Sequence, residues 1–319
     1  MIWLPANRWY SIDALLFPKI KKATCKNWQI LILKIQLSVV YFFAGIAKIN
    51  GDWMLRAQPL ATWLPGRYQI PLIGNLLQYK LTAFLFSWAG CVYDTTIWFF
   101  LWLKKTRFIA YILVIVFHVL TGVLFPRIGM FPYIMITSTI IFFSANSHKK
   151  ILNVIGAKFP EEINEIKNKS NPFISFFLLI YLAIQFYLPI RHNLYSGNLF
   201  WNERGYRFSW RVMLMEKNGL TNFIVNDPTT NTRYEVDQDN YLTPFQKQQM
   251  RSQPDMLLQF GKHIGHEFEN EKGYAPEIYV KSKLSLNGRR SQVFTDENMD
   301  IYSTPNPIKN GWILPLDSK

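Results

Sequence analysis

Five long apolar runs constrain this chain more than any other feature of its sequence. They cover about residues 29–49, 81–103, 108–124, 128–145 and 172–190. An α-helix rises about 1.5 Å per residue, so roughly 20 apolar residues cross the ~30 Å hydrocarbon core of a bilayer. The third and fourth runs are at the short end, and they can form one helical hairpin that turns at residues 125–127. The sequence therefore predicts a polytopic helical membrane bundle of about five spans.

Composition supports a membrane protein with a polar tail. Of the 319 residues, 50% are hydrophobic and only 18% are charged, whereas soluble domains carry about 25% charged residues. This hydrophobicity excludes a disordered chain, and two cysteines exclude a disulfide scaffold. The net charge of +14 could indicate nucleic-acid binding, but many lysines lie in short segments between apolar runs. We therefore expect the lipid bilayer, and not nucleic acid, as the partner of these basic segments.

The basic residues also predict a topology. They are numerous before the first run, after the second and after the fourth, and sparse after the first and third. Cytoplasmic loops carry an excess of lysine and arginine, so this alternation favours a cytoplasmic N-terminus. Five crossings then place the C-terminal part outside the cytoplasm. We predict a transmembrane domain over residues 1–190 and an extracytoplasmic domain over residues 191–319.

The C-terminal part reads as β-rich, and we expect a β-sandwich-like domain with one helix. Strands are predicted at 206–216, 222–226, 233–236, 277–286 and 291–295, with turns at Asp227-Pro228 and Asn287-Gly288. Thr243, Pro244 and Gln246 suit the N-cap, N1 and N3 positions of a helix. That helix is predicted to run to about Phe268 with an interruption near Pro254. Residues 51–78 are too broken for a span, and their prolines and aromatics suggest an interfacial or re-entrant loop.

Three ionisable residues lie in or at the ends of the apolar runs, and each has two readings. Lys48 ends the first run; it either snorkels to the interface or, once buried, provides a neutral amine that can act as a base. Asp94 and His118 lie inside the second and third runs. Such groups either hydrogen-bond within the bundle or carry chemistry, and an imidazole can shuttle protons.

Metal chemistry is not predicted. His263 and His266 lie three residues apart on the predicted tail helix, but a metal site needs more ligands, so we assign them to a solvated helix face. The sequence contains no Gly-rich phosphate loop, GxSxG elbow or HExxH motif.

The region around Lys48 resembles a known family. Residues 41–53 read YFFAGIAKINGDW and are similar to the lysine segment of the vitamin K-dependent γ-glutamyl carboxylases and their bacterial relatives. Asp94 matches an aspartate that these relatives carry in the next span. His118 matches a histidine before an (I/L)GxFPY segment, within FHVLTGVLFPRIGMFPY at residues 117–133. The helical part is thus identified as HTTM-like.

The resemblance continues in the tail. Residues 191–219 read RHNLYSGNLFWNERGYRFSWRVMLMEKNG and resemble the start of the family's lumenal or extracytoplasmic β domain. Four later segments continue the resemblance: DPTTN (227–231), YLTPFQ (241–246), PDMLLQF (254–260) and SLNGR (285–289). The similarity thus extends from Trp9 to the end of the tail.

The resemblance implies a membrane enzyme that couples epoxidation of vitamin K hydroquinone, or menaquinol, by O2 to carboxylation of glutamate by CO2. Lys48 matches the family's proposed base, and Asp94, His118 and Trp53 are expected near the quinone or the glutamate. A Glu-containing peptide or protein would be the substrate. The opening motif of the tail supplies expected contacts with the peptide or the membrane-facing cleft: His192, Trp201, Glu203, Arg207, Trp210 and Arg211. The alternative for these six is core packing.

Family members generally begin with further spans that carry an asparagine–histidine pair, so the resemblance implies that this chain is shortened at its N-terminus. Two other readings therefore stay open. The protein could be a catalytically incomplete membrane protein whose outer β domain binds a partner, or a quinone-using enzyme with another substrate. A composition rich in isoleucine, lysine and asparagine suggests an AT-rich bacterial genome and hence an inner-membrane location. The sequence leaves open whether the protein is an oligomer.

Overall fold

The structure is a computed structural model, and it describes residues 4–5, 7–8, 11–21, 24–154, 156 and 171–317. The α-helices in these residues are Ile12–Leu16 (α1), Asn27–Lys48 (α2), Gly51–Arg56 (α3), Leu60–Trp63 (α4), Lys80–Trp102 (α5), Arg107–Leu124 (α6), Phe131–Thr139 (α7), Ala145–Val154 (α8), Pro172–Ile190 (α9), Leu199–Asn202 (α10), Pro244–Met250 (α11) and Pro254–Lys272 (α12). The strands are Lys217–Asp227 (β1), Thr232–Glu235 (β2), Glu277–Leu286 (β3) and Gln292–Val293 (β4).

The predicted class, a helical membrane part with a β-rich C-terminal domain, is confirmed. Among the described residues, the helices long and apolar enough to cross a membrane are Asn27–Lys48, Lys80–Trp102, Arg107–Leu124 and Pro172–Leu194. They correspond to the first, second, third and fifth predicted spans. The fourth predicted span, residues 128–145, contains the shorter apolar helix Phe131–Phe142, which is α7 with a 3-10 continuation.

The chain divides into two compact units. The first unit comprises residues 1–47 and 88–188, and the second comprises residues 48–87 and 189–319. In the first unit, α6 and α7 form the predicted helical hairpin, joined through a 3-10 turn at Pro126–Ile128. Gly129 follows this turn with a φ of 65°, a conformation that a residue with a side chain rarely adopts. The predicted domain boundary at residues 190 and 191 stays a prediction.

Close helix packing in the first unit explains the small residues near the end of α2. A Cβ atom built on Gly45 would lie 2.6 Å from the backbone nitrogen of Thr95 on α5. Real Cβ atoms do not approach a backbone atom so closely, so α2 and α5 contact each other at a position that only glycine fits.

Replacing Gly45 by alanine tests this contact, because the contact and helix propensity predict opposite changes in the free energy of unfolding. Helix propensity alone would make Gly45→Ala stabilising by about 0.5–1 kcal/mol. We expect instead a loss of about 1–3 kcal/mol, because the added methyl group overpacks against a backbone that cannot move aside cheaply. Thermal unfolding in detergent, followed by tryptophan fluorescence, measures the difference. The matched control is Gly66→Ala, since no atom lies within 4 Å of a Cβ at Gly66. An unchanged or raised melting temperature for Gly45→Ala would contradict the contact.

The second unit contains one antiparallel sheet with strand order β2-β1-β3-β4. Its central pair runs in register from Lys217 opposite Leu286 to Asn226 opposite Glu277. Alternate side chains of β3 are fully buried, as expected for a strand with one covered face. Helix α12 packs on this face of the sheet. Phe260 of α12 contacts Phe223 of β1 edge to face, with ring centroids 4.9 Å apart. The described residues thus form one sheet with a helix on it, where the sequence suggested a sandwich.

Several local predictions in the second unit are confirmed. Thr243 caps α11 in a capping box with Gln246, and Pro244 occupies the first turn. The predicted break near Pro254 separates α11 from α12, and α12 continues to Lys272, four residues beyond the predicted end. Strand β3 has the predicted bounds, whereas the strand predicted at 291–295 is shortened to Gln292–Val293.

The strand predicted at residues 206–216 is wrong. This segment consists of turns and irregular backbone, and regular pairing begins only at Lys217. Three of its residues, Phe208, Trp210 and Met213, have φ between 56° and 61°, which is incompatible with an extended strand. The Tyr206 hydroxyl donates a hydrogen bond to the Arg211 carbonyl at 2.7 Å and closes the segment on itself. The alternation of aromatic and polar residues therefore reflects a folded loop.

Candidate functional site

Lys48 is buried at the junction between α2 and α3. It is the last residue of α2 and exposes only 6% of its surface. Its Nζ lies 5.4 Å from the centroid of the Trp53 ring. The α3 helix that carries Trp53 begins three residues after Lys48, and the Asn50 side chain caps it by accepting the Trp53 backbone N–H at 3.0 Å. Because only four residues separate Lys48 from Trp53 and the Asn50 cap sets the start of α3, the amine and the indole are held close together.

Trp53 is anchored on its other side by Ser87 of α5. The indole Nε1 donates to the Ser87 carbonyl at 2.6 Å, and the Ser87 hydroxyl donates to the Trp53 carbonyl at 2.5 Å. Both residues are buried. This reciprocal pair fixes the orientation of the ring beside Lys48, because a buried indole and hydroxyl keep their hydrogen-bond partners.

Asp52 joins α3 to the turn after β3. Its carboxylate accepts two hydrogen bonds from the Arg289 guanidinium, at 2.6 and 2.8 Å, and one from the Asn287 amide at 2.9 Å. Arg56 adds a weaker contact at 3.5 Å. Burial raises the pKa of Asp52, but the hydrogen bonds from Arg289 and Asn287 outweigh it and hold that pKa below its ordinary value. We call Asp52, Asn287 and Arg289 the Asp52 clamp.

Asn287 is built into the turn that presents Arg289. Its backbone adopts a φ of 49°, and Gly288 follows at 73°, a pair typical of a tight turn. The fully buried Asn287 side chain accepts the Glu216 N–H at 2.8 Å and donates to the Leu214 carbonyl at 3.2 Å as well as to Asp52. The Asn287 side chain thus hydrogen-bonds both to the loop before β1 and to α3.

A second buried polar group lies inside the first unit. The Tyr41 hydroxyl lies 3.1 Å from Nε2 of His118 and 3.5 Å from the hydroxyl of Thr139. Tyr93 meets both Tyr41 and His118 edge to face, with centroids 6.1 and 6.2 Å apart. Asp94 follows Tyr93 on α5 and is also buried. Polar groups so placed in apolar helices are costly, which makes this a candidate site in its own right.

The tail residues divide between core and surface. Trp201 is buried, donates from Nε1 to the Leu314 carbonyl at 2.8 Å and packs edge to face on Phe294. Glu203 forms a buried ion pair with Lys217 at 2.6 Å. Burial raises the pKa of Glu203 and lowers that of Lys217, while the attraction between them opposes both shifts. For Trp201 and Glu203, the core-packing alternative fits the observed contacts.

The other tail candidates lie around the end of α9. His192 Nδ1 lies 2.9 Å from the Pro189 carbonyl, and the Arg211 guanidinium lies 3.1 Å from Nε2 of the same ring. Arg207 is exposed and pairs with Asp255 at 2.5 Å. Trp210 has a buried indole nitrogen without a hydrogen-bond partner among the described residues. Peptide contact by these residues stays a prediction.

The structure brings together some of the residues singled out from the sequence. Lys48 and Trp53 are neighbours in the second unit, and Asp94 and His118 belong to the first unit. Whether these two pairs share one pocket stays a prediction. Sequence reasoning missed Tyr41 and the Asp52 clamp, although every one of these residues lies in a segment already noted for its resemblance.

The donor set around Lys48 suits a quinol. A flat aromatic quinol is apolar over its faces and carries an acidic hydroxyl at its edge. The indole of Trp53 and the amine of Lys48 are the kinds of group that such a ring and hydroxyl would contact. The residues present therefore fit the group that the resemblance implies.

Two family models match the chain, and together they cover nearly all of it. Residues 1–146 match the HTTM domain. Residues 170–319 match the lumenal domain of vitamin K-dependent gamma-carboxylase. No solved structure was found to match the chain.

Proposed function

Because this chain belongs to the vitamin K-dependent gamma-carboxylase family, we propose that it is an integral membrane carboxylase that acts on glutamate side chains. The proposed co-substrates are vitamin K hydroquinone or menaquinol, O2 and CO2, and the proposed acceptor is a Glu-containing peptide or protein. The observation that carries the proposal is the buried amine of Lys48, held over Trp53 in the segment that resembles the family's lysine motif.

In this proposal, Lys48 accepts a proton from the quinol hydroxyl at its Nζ. An amine accepts a proton through its nitrogen lone pair, and a lysine amine serves as a general base in this way. Trp53 orients the ring and excludes water from the amine, since its own ring is fixed by Ser87. When bound, the quinol would supply, on its oxidation by O2, the strong base needed to remove a γ-proton from glutamate before CO2 is added.

The Asp52 clamp has a positioning role in this proposal. Asp52 immediately precedes Trp53 on α3, so its bonds to Arg289 and Asn287 fix the helix that carries the ring. A misplacement of about 1 Å can cost an enzyme a factor of ~100 in rate. The clamp therefore links the family's lumenal domain to the geometry around Lys48.

For the topology, we propose that the second unit faces the outside and that the N-terminus is cytoplasmic. The end of α2, the start of α5 and the end of α9 all border residues of that one unit. The chain must then cross the membrane an even number of times between residues 48 and 189, and α5, α6 and α9 are three long spans. The segment with α7 supplies the fourth crossing, in line with the five spans proposed from the sequence. In a bacterium the membrane would be the inner membrane.

One experiment tests the proposed function directly. The full chain is purified into nanodiscs, and epoxide formation and fixation of labelled CO2 are measured with the hydroquinone and a Glu-rich peptide. The matched control peptide has every glutamate replaced by glutamine, which removes the γ-carboxyl group and keeps the length. We expect epoxide and labelled peptide with the first substrate and no labelled product with the second.

Other outcomes separate the alternatives. Epoxide without labelled peptide would indicate a quinone-using enzyme with another substrate. Neither product, from protein that melts cooperatively, would contradict the enzyme and favour a membrane protein whose outer domain binds a partner. Vitamin K hydroquinone and menaquinol are assayed side by side, because the physiological quinol is part of the proposal.

A further inference from the structure

A cavity of about 230 Å³ opens in the second unit beside the end of α9. Three arginines line it: Arg191, Arg204 and Arg207. Two carboxylates, those of Glu203 and Asp255, line it as well. None of these residues belongs to the Lys48 site or to the Asp52 clamp, so the cavity is separate from both.

The charges of this cavity are not balanced. Glu203 is already paired with Lys217 at 2.6 Å, and Asp255 with Arg207 at 2.5 Å. In the described part of the chain, Arg191 and Arg204 form no ion pair with a carboxylate. Two guanidinium groups thus line one cavity without a neutralising partner, which favours an anionic ligand.

Both arginines are held in position by other contacts. Arg191 donates to the Arg207 carbonyl at 2.8 Å, and its Nε is buried with no hydrogen-bond partner among the described residues. The Arg204 guanidinium lies 5.1 Å from the centroid of the Tyr195 ring. A buried donor that lacks a partner costs free energy, so a ligand that accepts from Arg191 gains that amount on binding.

The cavity lies at the C-terminal end of a candidate membrane span. Arg191 directly follows Ile190, the last residue of α9, and lies in the last turn of the candidate span Pro172–Leu194. The wall formed by residues 204–207 is packed against the same point, because a Cβ on Gly205 would lie only 2.8 Å from the Cα of His192. The headgroup layers extend about 5–7 Å beyond each side of the hydrocarbon core, which is only a few residues of chain.

We propose that this cavity binds the phosphate of an anionic phospholipid through Arg191 and Arg204. The planar guanidinium group donates two parallel hydrogen bonds to phosphate oxygens, and arginine is enriched wherever phosphate is bound in this way. The position at the end of a span favours a lipid over an acidic peptide, which would arrive from the aqueous side. The site does not depend on the proposed carboxylase activity.

Lipid retention measured by native mass spectrometry tests the site. The full chain is purified in a neutral detergent and supplied with phosphatidylglycerol or with phosphatidylcholine. A basic residue near an anionic membrane contributes about 1 kcal/mol, which corresponds to a factor of about 5 in affinity. We expect phosphatidylglycerol to be retained over phosphatidylcholine, and Arg204→Gln and Arg191→Gln each to weaken its retention about fivefold.

Control variants make the result specific. Arg290→Gln removes the same charge from an exposed arginine elsewhere in the second unit and should leave retention unchanged. If Arg191→Gln fails to fold, Arg204→Gln decides the test, because Arg204 is partly exposed. Equal retention in wild type and Arg204→Gln, or an equal loss in Arg290→Gln, would overturn the proposal. So would displacement of the lipid by the Glu-rich peptide, or by inorganic phosphate at the concentration of the lipid.

Discussion

Replacing Lys48 by alanine is expected to lower the rate of hydroquinone epoxidation by a factor of about 10²–10⁴, the usual contribution of a positioned general base. The reason is that the amine is buried over Trp53, where bulk water has little access to replace it. Carboxylation of the peptide should fall in parallel, because the proposal couples it to the same oxidation. Epoxide formation in nanodiscs measures the first effect, and fixation of labelled CO2 measures the second.

Two further variants distinguish a role of Lys48 as a general base from a role in which its side chain only extends to the membrane interface. Lys48→Arg keeps the positive charge and the length but cannot be deprotonated in a protein, so a base role predicts that it is also inactive. Lys80→Ala is the matched control. Lys80 also stands at the end of a span, with Nζ 5.9 Å from the ring centroid of Phe84, but it is exposed. Full activity in Lys48→Ala or Lys48→Arg would remove Lys48 from the mechanism.

The membrane part was predictable because its signal is local. A run of about 20 apolar residues has few other structures available to it, since every backbone polar group in a bilayer must be paired within the segment. The start of α9 and its end at Ile190 therefore follow from composition alone. The segment from 128 to 145 was less clear because the regular α-helix stops at Thr139 and tightens into a 3-10 turn at Ile140–Phe142.

The error at residues 206–216 has a different physical cause. Alternation of large and polar side chains is the mark of a strand only if the backbone is extended. Here Phe208, Trp210 and Met213 adopt positive φ, and no residue in that segment is a glycine that would have signalled it. The segment is held by hydrogen bonds from Arg191 to the Arg207 carbonyl and from the Arg207 guanidinium to Asp255, and a single sequence does not reveal such distant contacts.

The candidate site was predictable only in part, because some of its contacts join residues that are far apart in the sequence. Lys48 stood out because a charge at the end of an apolar run is costly wherever the chain goes. The Asp52 clamp did not, because its ion pair joins residues 237 positions apart. An aspartate in the first turn of a short helix also has a local explanation, as a favourable charge at the helix N-terminus, and so gave no reason to look for a distant partner.

Removing the Asp52 clamp is expected to destabilise the second unit strongly. Asp52→Ala leaves the Arg289 guanidinium, with only 19% of its side chain exposed, facing the protein without its carboxylate. Breaking a buried ion pair from one side costs about 3–5 kcal/mol. Arg289→Ala should cost a similar amount, and the double variant should cost less than the two singles combined, since neither charge is then left alone. Thermal unfolding of the four proteins in one detergent measures this coupling.

A control variant and the pH dependence both test whether the Asp52 clamp is the source of this stability. Arg56→Ala removes the half-exposed partner 3.5 Å from Asp52 and should cost no more than about 0.5 kcal/mol. The pKa of Asp52 is lowered in the folded protein, so the clamp stabilises it fully above the ordinary carboxyl value of 3.8 and loses this effect as the pH falls below that value. The gap in melting temperature between wild type and Asp52→Ala should therefore narrow on acidification. A gap that is absent at neutral pH, or that widens in acid, would show that Asp52 does not hold α3 to the turn after β3.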